Sequence, residues 1–589
     1  MNLAASPFRL PRNTPFGVLE SWAEALTGLD RLDRYYQRRP LQSDCDTFLD
    51  YTLSVLGIRY EINRGSLDAI PKSGPVLVVA NHPLGAVEGV ILLDLIREVR
   101  KDVKALANHY LKTIPELDEL FIGVDVFEGQ SAAKTNAKAL RNAQQHLSGG
   151  GVLLVFPAGE VSSLNWRTGE LRDKEWSRSI ARLLRRSEAV TVPMFVKARN
   201  SHAFYLAGNV HPMLRTFMLG REMLNKKAKP IEIAIGEAIE FNEVKGLEDD
   251  SHVANYLRMN TYLLGAEPHN NLPAQRNVET IIAPIDLILL ANEISALPKH
   301  ALLTEQDNFA VYCTAANSIP NVLREIGRIR EVNFRATGEG TGLSCDLDEY
   351  DQAYKHLFVW DKDRQALVGA YRLGIVKDLI QAQGLRGLYS RSLFRYDERL
   401  IKQLGNPIEM GRSVIDVHYQ RSLNGLLLLW KGIATYVSRN PEITHLFGPV
   451  SISNDYSAIA RHLIASTLSV HHYDPEQAAL IKPKKKLQLR KGIFWHKDML
   501  AALPDLKYLT KLLQRMQQHQ GVPVLLRQYL TLSGKLICFN VDPDFNNALD
   551  GLIVVDLRAI APRTMARYMG KTEAQAYLAY HQNSHEKQN

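Results

Sequence analysis

The chain has 589 residues, which is too long for one hydrophobic core and indicates two or more domains. Its 46% hydrophobic and 23% charged residues are typical of a globular protein and exclude a disordered or fibrous one. The formal net charge of +8 favours an acidic partner. Anionic lipid, an acidic carrier protein and nucleic acid are all compatible with a net positive charge.

The cysteines are widely scattered and lack the paired spacing of zinc sites and disulfide frameworks; they are Cys45, Cys313, Cys345 and Cys538. We therefore predict no metal site and a reducing compartment. The mixed sequence at the N-terminus, MNLAASPFRLPRN, does not resemble a signal peptide. No apolar run reaches the length of about 18 residues that would predict a membrane-spanning helix.

The first half alternates apolar strands with helices, which predicts an α/β sheet covered on both faces. The predicted elements are a strand at 75–80, a helix from Ala86, a helix from its cap Ser131 to Gly149, a strand at 152–156, a basic helix at 176–187 and a strand at 189–196. Ligands of such sheets bind outside the carboxyl ends of strands. The loops after residues 80 and 156 are therefore the candidate site.

A polar segment rich in proline and asparagine interrupts this pattern and marks a domain boundary. We predict an N-terminal helical segment at 1–49, an α/β domain at 50–265, a linker with a connecting helix at 266–308, a second α/β domain at 309–565 and a polar C-terminal tail at 566–589. Within the second domain, Pro320 begins a helix, and two strands flank a hairpin turn at 361–364.

The first candidate site lies in VLVVANHPLGAVEGVILLDLI, where a strand, a short loop and a helix follow one another. The loop contains His82, and Glu88 follows six residues later. A structural hydrogen-bonding histidine is one interpretation. The other is catalytic: imidazole removes a proton from a hydroxyl, the carboxylate fixes its tautomer, and the start of the helix stabilises an oxyanion.

Residues 81–89 resemble the first motif of the glycerolipid acyltransferases, the lysophosphatidic acid acyltransferase-like superfamily. Three further blocks follow in the family order, at 123–127, 156–163 and 192–193, and the resemblance covers about 50–240. It implies that His82 is the general base and that Glu88 orients it. It also implies a substrate pocket, for which the candidates are Asn81, Gly85, Gly159 and Ser162.

Two departures from the family pattern bear on the substrate. The family usually has His-x4-Asp, whereas here the acid is a glutamate one place later. The third block usually reads Phe-Pro-Glu-Gly, whereas here Ala158 replaces the glutamate and Glu160 lies two residues further on. Both favour the haemolysin-like branch with Asn-His-Pro loops over the glycerol-phosphate enzymes. An acyltransferase fold that has lost its activity is the alternative.

The second candidate site begins in a glycine-rich stretch, where Gly338, Gly340 and Gly342 flank Glu339 and Thr341. An acidic cluster follows, made of Asp346, Asp348, Glu349 and Asp351. A solvated surface turn is one interpretation of these residues. The other is a carboxylate site beside a sheet that holds a cationic amino acid.

This stretch resembles the ornithine N-acyltransferases, a branch of the GNAT fold close to the acyl-homoserine lactone synthases, and the likeness runs to about residue 557. It implies attack of a neutral amine on a thioester, and our candidates for binding or deprotonating the amine are Glu339, Asp346 and Glu409. Arg412 would meet an acidic carrier or the amino-acid carboxylate. The GNAT phosphate loop survives only as 421–425, with Arg421 as a candidate binding residue, which favours a donor on acyl carrier protein over coenzyme A.

Together the halves resemble the bifunctional ornithine lipid synthases of Gram-negative bacteria. The resemblance implies N-acylation of ornithine with a 3-hydroxyacyl group, followed by O-acylation of its 3-hydroxyl. The expected donors are acyl thioesters, with no bound cofactor. The expected partners are acyl carrier protein, ornithine, lyso-ornithine lipid and a lipid surface, at the cytoplasmic face of the bacterial inner membrane.

Two segments could lie peripherally on that surface: 204–219 with Lys226 and Lys227, and 484–486 near 494–495. A partly buried helix and a solvated lysine cluster are the alternatives. Other functions also stay open, namely a single-activity lysophospholipid acyltransferase with a regulatory or carrier-binding second domain, and the same two reactions on another amino acid. Nucleic acid is not an expected partner, because no stripe of basic and aromatic residues occurs.

Overall fold

The computed structural model describes residues 6–10, 18–40, 43–125, 130–227, 229–266, 278–420, 424–488, 493–517 and 520–586. The chain forms two units. The first unit contains Met1–Glu267 and Arg490–Tyr508, and the second contains Pro268–Leu489 and Leu509–Asn589. The division after residue 267 adjoins the predicted start of the linker at 266.

The first unit contains a seven-stranded sheet in the order β1-β9-β8-β2-β5-β3-β4, with helices between its strands. Its pairings are parallel except that of β8 with β9. The strands of the whole first unit, in chain order, are β1 Tyr60–Arg64, β2 Val76–Ala80, β3 Val103–Asn108, β4 Phe121–Val124, β5 Val152–Val155, β6 Ser163–Asn165, β7 Glu170–Arg172, β8 Val190–Lys197 and β9 Ile231–Ile235. Strands β6 and β7 lie outside the seven-stranded sheet. The helices are α1 Val18–Thr27, α2 Leu29–Gln37, α3 Cys45–Leu56, α4 Ala86–Val99, α5 Gln130–Ser148, α6 Ser179–Ser187, α7 His202–Val210, α8 Pro212–Met223, α9 Phe241–Val244 and α10 Asp250–Leu264.

The centre of this sheet is the predicted apolar strand, β2, all five residues of which are buried. A strand with neighbours on both sides and helices on both faces must be apolar throughout, which explains the run VLVVA. The predicted strand and the helix from Ala86 are confirmed. Helix α5 begins at Gln130, one residue before the predicted cap Ser131. The basic helix α6 begins at Ser179 rather than 176.

The second unit contains an eight-stranded sheet in the order β10-β11-β12-β13-β15-β16-β19-β18, and only its β15–β16 pairing is parallel among the described residues. The strands are β10 Leu302–Gln306, β11 Phe309–Ala315, β12 Lys355–Asp361, β13 Ala366–Ile375, β14 Phe394–Tyr396, β15 Pro407–Ile415, β16 His445–Ile452, β17 Ile481–Pro483, β18 Lys535–Asp542 and β19 Ala548–Asp556. The helices from α11 onward are α11 Leu287–Ser295, α12 Pro320–Ala336, α13 Val376–Gln383, α14 Glu398–Leu404, α15 Asn424–Arg439, α16 Ala458–His471, α17 Pro475–Ala478, α18 Lys497–Leu500, α19 Leu506–Met516, α20 Val524–Thr531, α21 Pro562–Met569 and α22 Lys571–Glu586.

The helix that begins at Pro320 and the hairpin of β12 and β13 are confirmed. Two boundaries differ from the prediction. The second sheet starts with β10, inside the predicted linker, because β10 pairs with the next strand. The predicted polar tail is helical as far as Glu586, because Tyr577 is buried and its hydroxyl donates to the Ile443 carbonyl at 2.6 Å.

Residues 493–508 form a strap that belongs to the first unit, although the sequence places them within the second domain. Their apolar side chains pack beside α10, and Trp495, Met499, Leu500 and Leu503 are buried. The prediction of one continuous domain over 309–565 is therefore wrong in this segment. The burial of Trp495 also removes it from the predicted lipid-facing pair at 494–495. Helix α18 lies in this strap.

Among the described residues, no helix combines the length and the apolar character needed to cross a bilayer.

Two candidate active sites

The first site lies in the loop between β2 and α4, where His82 faces Glu88. Nδ1 of His82 lies 2.9 Å from Oε1 of Glu88. The imidazole is 18% exposed, whereas the carboxylate is fully buried. The ring N–H does not point along the line to Oε1 closely enough for a regular hydrogen bond, so the contact is electrostatic. Because Nδ1 faces Glu88, Nε2 is the ring nitrogen that can contact a substrate.

Glu88 reaches the imidazole because it lies in the first turn of α4. Its Oε1 accepts hydrogen bonds from the main-chain N–H groups of Leu84 and Gly85, each at 2.9 Å. A carboxylate at the start of a helix is stabilised by such N–H groups and by the helix dipole. Its Oε2 is buried with no hydrogen-bond partner among the described residues. The glutamate one place later than the family acid therefore still contacts the histidine.

The imidazole is also fixed from the loop after β5. Its ring stacks on Phe156, with ring centroids 4.5 Å apart and planes at 28°. The His82 carbonyl accepts from the Ser162 main-chain N–H at 2.7 Å. The predicted loops after β2 and β5 therefore meet at one place, as the family resemblance requires.

Asp173 is a site residue that sequence reasoning missed. Its Oδ1 accepts from the His82 main-chain N–H at 3.3 Å and from the Ser162 hydroxyl at 2.5 Å. Its Oδ2 accepts from the Trp176 indole at 3.1 Å. Asp173 lies in the polar stretch RTGELRDKEW, which carries no periodic signal that would have singled it out.

The other predicted residues of this site shape its main chain. The Asn81 amide donates to the Val196 carbonyl at 3.0 Å and accepts from the Val196 N–H at 2.7 Å, so it ties the loop to β8. Gly85 has φ of +101°, and a Cβ there would lie 2.8 Å from Leu219. Gly159 has φ of +70° with open space around it. Glu160 is ion-paired with Lys174 and Arg215; these contacts are structural.

The second site lies where β15 and β16 separate. These parallel strands pair only over Pro407–Glu409, although β15 continues to Ile415 and β16 to Ile452. The register of β15 against β13 also shifts between Ala370 and Arg372, which makes a bulge at Arg412 and Ser413, opposite Tyr371. Arg412 has φ of +49°, a strained conformation for a non-glycine residue. The splay leaves main-chain groups of β15 facing a gap.

Arg412 lies between carboxylates and aromatic rings in this gap. Its Nε is 3.3 Å from Asp346, and its Nη2 is 3.5 Å from Asp348. Its guanidinium carbon lies 5.0 Å from the Tyr389 ring centroid and 4.6 Å from that of Phe545. Arg412 and Asp346, predicted to belong to one site, are therefore in contact.

Two further members of the acidic cluster are neutralised by buried arginines, whereas Glu349 is exposed. Asp348 lies 2.5 Å from buried Arg372, and Asp351 lies 2.8 Å from buried Arg330. Although burial opposes it, these two arginines hold the pKa of Asp351 well below its usual range. The interpretation of this run as a solvated surface turn is wrong for these residues.

Glu409 is buried and both of its oxygens are occupied. Oε2 accepts from the Tyr354 hydroxyl and, at 3.0 Å, from the Tyr389 N–H, and Oε1 accepts from the Ser390 N–H at 2.7 Å. These contacts fix the turn at 389–390, which carries the Tyr389 ring beside Arg412. The geometry thus gives Glu409 a positioning role, in contrast to the amine-binding role predicted for it.

Glu339 joins three carboxylates that the prediction did not include: Asp455, Asp542 and Asp550. Burial, with repulsion from Asp455 and Asp542, raises the pKa of Glu339 to about 7. Burial, with repulsion from Asp542 and Glu339, raises the pKa of Asp550 to about 8. The sequence feature that could have identified Asp550 is a single carboxylate in the interior of the apolar strand ALDGLIVVD.

Two predicted features lie outside the described residues. They are Arg421, with the remnant of the phosphate loop at 421–423, and residues 126–127 of the second block.

These folds and sites define an acyltransferase with two acyl-transfer domains. Residues 31–270 match the family model described as acyltransferase, and residues 329–431 match that of the acetyltransferase (GNAT) domain. A glycine N(alpha)-acyltransferase of Bacteroides thetaiotaomicron is 31% identical over 278 residues, which cover 44% of this chain and 80% of that protein. A lyso-glycine lipid O-acyltransferase of Phocaeicola vulgatus is 25% identical over 224 residues, which cover 37% of this chain and 77% of that protein.

The chain belongs to the family of the GNAT-type N-acyltransferases represented by the first of these relatives, and it also carries an acyltransferase domain.

Proposed function

We propose that this chain makes ornithine lipid by two successive acyl transfers. The second unit moves a 3-hydroxyacyl group from acyl carrier protein to the α-amine of ornithine. The first unit then moves an acyl group from a second thioester to the 3-hydroxyl of that product. Two relatives with the corresponding names, an N-acyltransferase and a lyso-lipid O-acyltransferase, are separate proteins, and one chain that resembles both supports consecutive steps.

The His82–Glu88 pair is the observation that carries the O-acylation step. As the hydroxyl attacks the thioester carbonyl, Nε2 of His82 takes its proton, and the buried Glu88 carboxylate stabilises the imidazolium. The same proton then goes to the departing thiolate. The first-turn amides of a helix lack intrahelical acceptors, so those of α4 from Ala86 onward are our candidates for stabilising the oxyanion.

The gap between β15 and β16 supports the N-acylation step. Beyond Glu409, the edge of β15 that faces β16 has no strand partner in the described segments, so its main-chain N–H groups can polarise a thioester carbonyl. The attacking amine must be neutral and must lose a proton as the amide forms. Asp346, which contacts Arg412 in this gap and whose pKa is raised by burial, is our candidate to accept that proton.

The amino acid has two candidates. Glycine is favoured by the names of the relatives. Ornithine is favoured by the buried carboxylates of the second site, since a second ammonium group would neutralise them. We therefore propose ornithine, since the buried acid is a property of this chain itself.

The lyso-lipid acceptor requires access to a bilayer, and we place the chain peripherally on the cytoplasmic face of the bacterial inner membrane. Helices α7 and α8 expose Leu206, Leu214 and Phe217, and α1 exposes Trp22. Exposed apolar side chains with a basic neighbour, here the exposed Lys227, suit an anionic lipid surface. The predicted Lys226 does not contribute, because its side chain is nearly buried and ion-paired with Glu222. The predicted segment 204–219 is thus the better of the two interfacial candidates.

Lipid mass spectrometry in a bacterial host that lacks aminolipids tests the proposal. Cells that express the full chain and receive labelled ornithine should make a labelled diacylated lipid. Cells that express His82→Ala should accumulate the labelled monoacylated form. The bifunctional assignment fails if no labelled lipid forms, or if His82→Ala still makes the diacylated lipid. If the lipid instead carries label supplied as glycine, glycine is the amino acid that the chain acylates.

A further inference from the structure

The strands at one end of the second sheet place two carboxylates on the same face. Asp550 of β19 pairs with Ser451 of β16 and with Asn540 of β18. Directly paired residues of neighbouring strands point to the same face, as do residues two apart on one strand. Asp542 pairs with Ala548, which is two residues from Asp550. Asp542 and Asp550 therefore share one face.

The glycine-rich loop brings Glu339 to these carboxylates. A Cβ on Gly338, the preceding residue, would lie 3.5 Å from both Asp455 Oδ1 and Asn546 Nδ2. The loop is held there because the Ser453 hydroxyl donates to the Thr337 carbonyl at 2.8 Å. The loop thus lies against the end of β16 and the turn between β18 and β19.

Two oxygens of this acid pocket, which we define as Glu339, Asp542 and Asp550, are buried without a partner. Asp550 is 2% exposed; its Oδ1 accepts from the Ser451 hydroxyl at 2.7 Å, whereas its Oδ2 has no partner among the described residues. Oε1 of Glu339 is likewise buried and unpartnered within that set. A buried carboxylate oxygen without a donor is costly, so this arrangement suits a donor that arrives with a ligand.

No resident cation supplies that donor. In the described part of the chain, none of the three carboxylates forms an ion pair. The nearby Arg412 is engaged by Asp346 and Asp348. Burial and mutual repulsion accordingly raise the pKa of Asp550 and Glu339. Nor do three His, Cys, Asp or Glu side chains of the described residues come close enough together to hold a metal ion.

We propose that the acid pocket binds the side-chain ammonium of the amino-acid substrate, and that it makes the second unit select a diamino acid over glycine. An ammonium group carries N–H donors for the two unpartnered oxygens, Oδ2 of Asp550 and Oε1 of Glu339. Glycine has no side chain to fill this pocket. The inference rests on the proposed N-acylation and adds the residues that choose the amino acid.

The test compares ornithine with norvaline, which has the same carbon skeleton without the side-chain ammonium. The purified full-length chain is supplied with a 3-hydroxyacyl group on acyl carrier protein. The kcat/KM for ornithine should exceed that for norvaline by about 100-fold or more, because norvaline leaves buried acceptors unpaired. Calorimetry should show ornithine, but not norvaline, binding to the chain without donor.

Two variants remove the pocket's charge separately, Asp550→Asn inside the sheet and Glu339→Gln on the loop. Each should lower the ornithine-to-norvaline ratio of kcat/KM by about 10-fold or more. The matched control is Asp378→Asn, an exposed carboxylate on α13, which should leave the ratio unchanged. Thermal melting of each variant confirms that it folds.

The possible failures are distinguishable. If the natural sequence acylates norvaline or glycine as efficiently as ornithine, the acid pocket does not select a diamino acid, although N-acylation stands. An unchanged ratio in both variants also overturns the pocket. If no amino acid is acylated, the proposed function itself fails, and this inference with it.

Discussion

At the scale of single residues, the first site depends on one carboxylate with two tasks. Glu88 accepts from two main-chain N–H groups at the start of α4 and lies 2.9 Å from the His82 imidazole. The N–H bonds hold the carboxylate in place, and the remaining negative charge favours a protonated imidazole during acyl transfer. Removing that charge while keeping the shape separates the two tasks.

Glu88→Gln should lower the kcat of O-acylation by about 100-fold or more, while N-acylation is unchanged. The amide oxygen of glutamine still accepts from Leu84 and Gly85, so the loop keeps its shape. The measurement is the rate of conversion of the monoacylated to the diacylated product. Glu232→Gln, a half-exposed carboxylate on β9, is the control, and a near-normal rate for Glu88→Gln would rule out the electrostatic role.

Asp550→Asn should stabilise the chain, and the gain should grow as the pH rises. Because the folded pKa of Asp550 is raised to about 8, its contribution to stability is present below its ordinary pKa and is lost as the pH rises toward 8. Asparagine carries no charge to bury, so the free energy of unfolding should increase by about 1–3 kcal/mol at pH about 8. Denaturant melts at pH about 5 and about 8 measure this, and an equal effect at both would contradict it.

At the scale of elements, the helices and strands that the sequence predicts correctly are those with a strong periodic pattern. Strand β2, helix α12 and the hairpin of β12 and β13 follow directly from apolar runs and turn residues. The first site was predictable too, because its loop follows a strand end and its residues are close in sequence. Asp173 carried no sequence signal, and the carboxylate of Asp550 in an apolar strand did not reveal its site, since pairing between distant segments brings both residues to their sites.

The turn before α4 gives a further prediction. Gly85→Ala should abolish most O-acylation and lower stability, because alanine is strained at φ of +101° and its Cβ would lie 2.8 Å from Leu219. Gly74→Ala is the matched control, with φ of +82° and open space around the added methyl. Activity and thermal midpoint are measured for both, and equal losses would show that strain alone, rather than contact with Leu219, is responsible.

At the scale of the whole molecule, the two units are not separated by one cut in the sequence. A fragment of residues 1–300 lacks the strap, and it therefore lacks the buried side chains of Trp495, Met499 and Leu500. We expect such a fragment to be less stable than the first unit of the full chain. Fusing residues 490–508 to its end should restore part of the thermal midpoint, and an unchanged midpoint would show that the strap contributes nothing.

The strap also bears on the order of events during synthesis. Domains usually fold in sequence as the chain leaves the ribosome. Here the first unit cannot be completed until residues near 503 emerge, after the first six strands of the second sheet have been made. A nascent or truncated chain would therefore not carry a finished first unit before most of the second unit exists. Gene truncations that spare only the first unit are expected to lose both activities together.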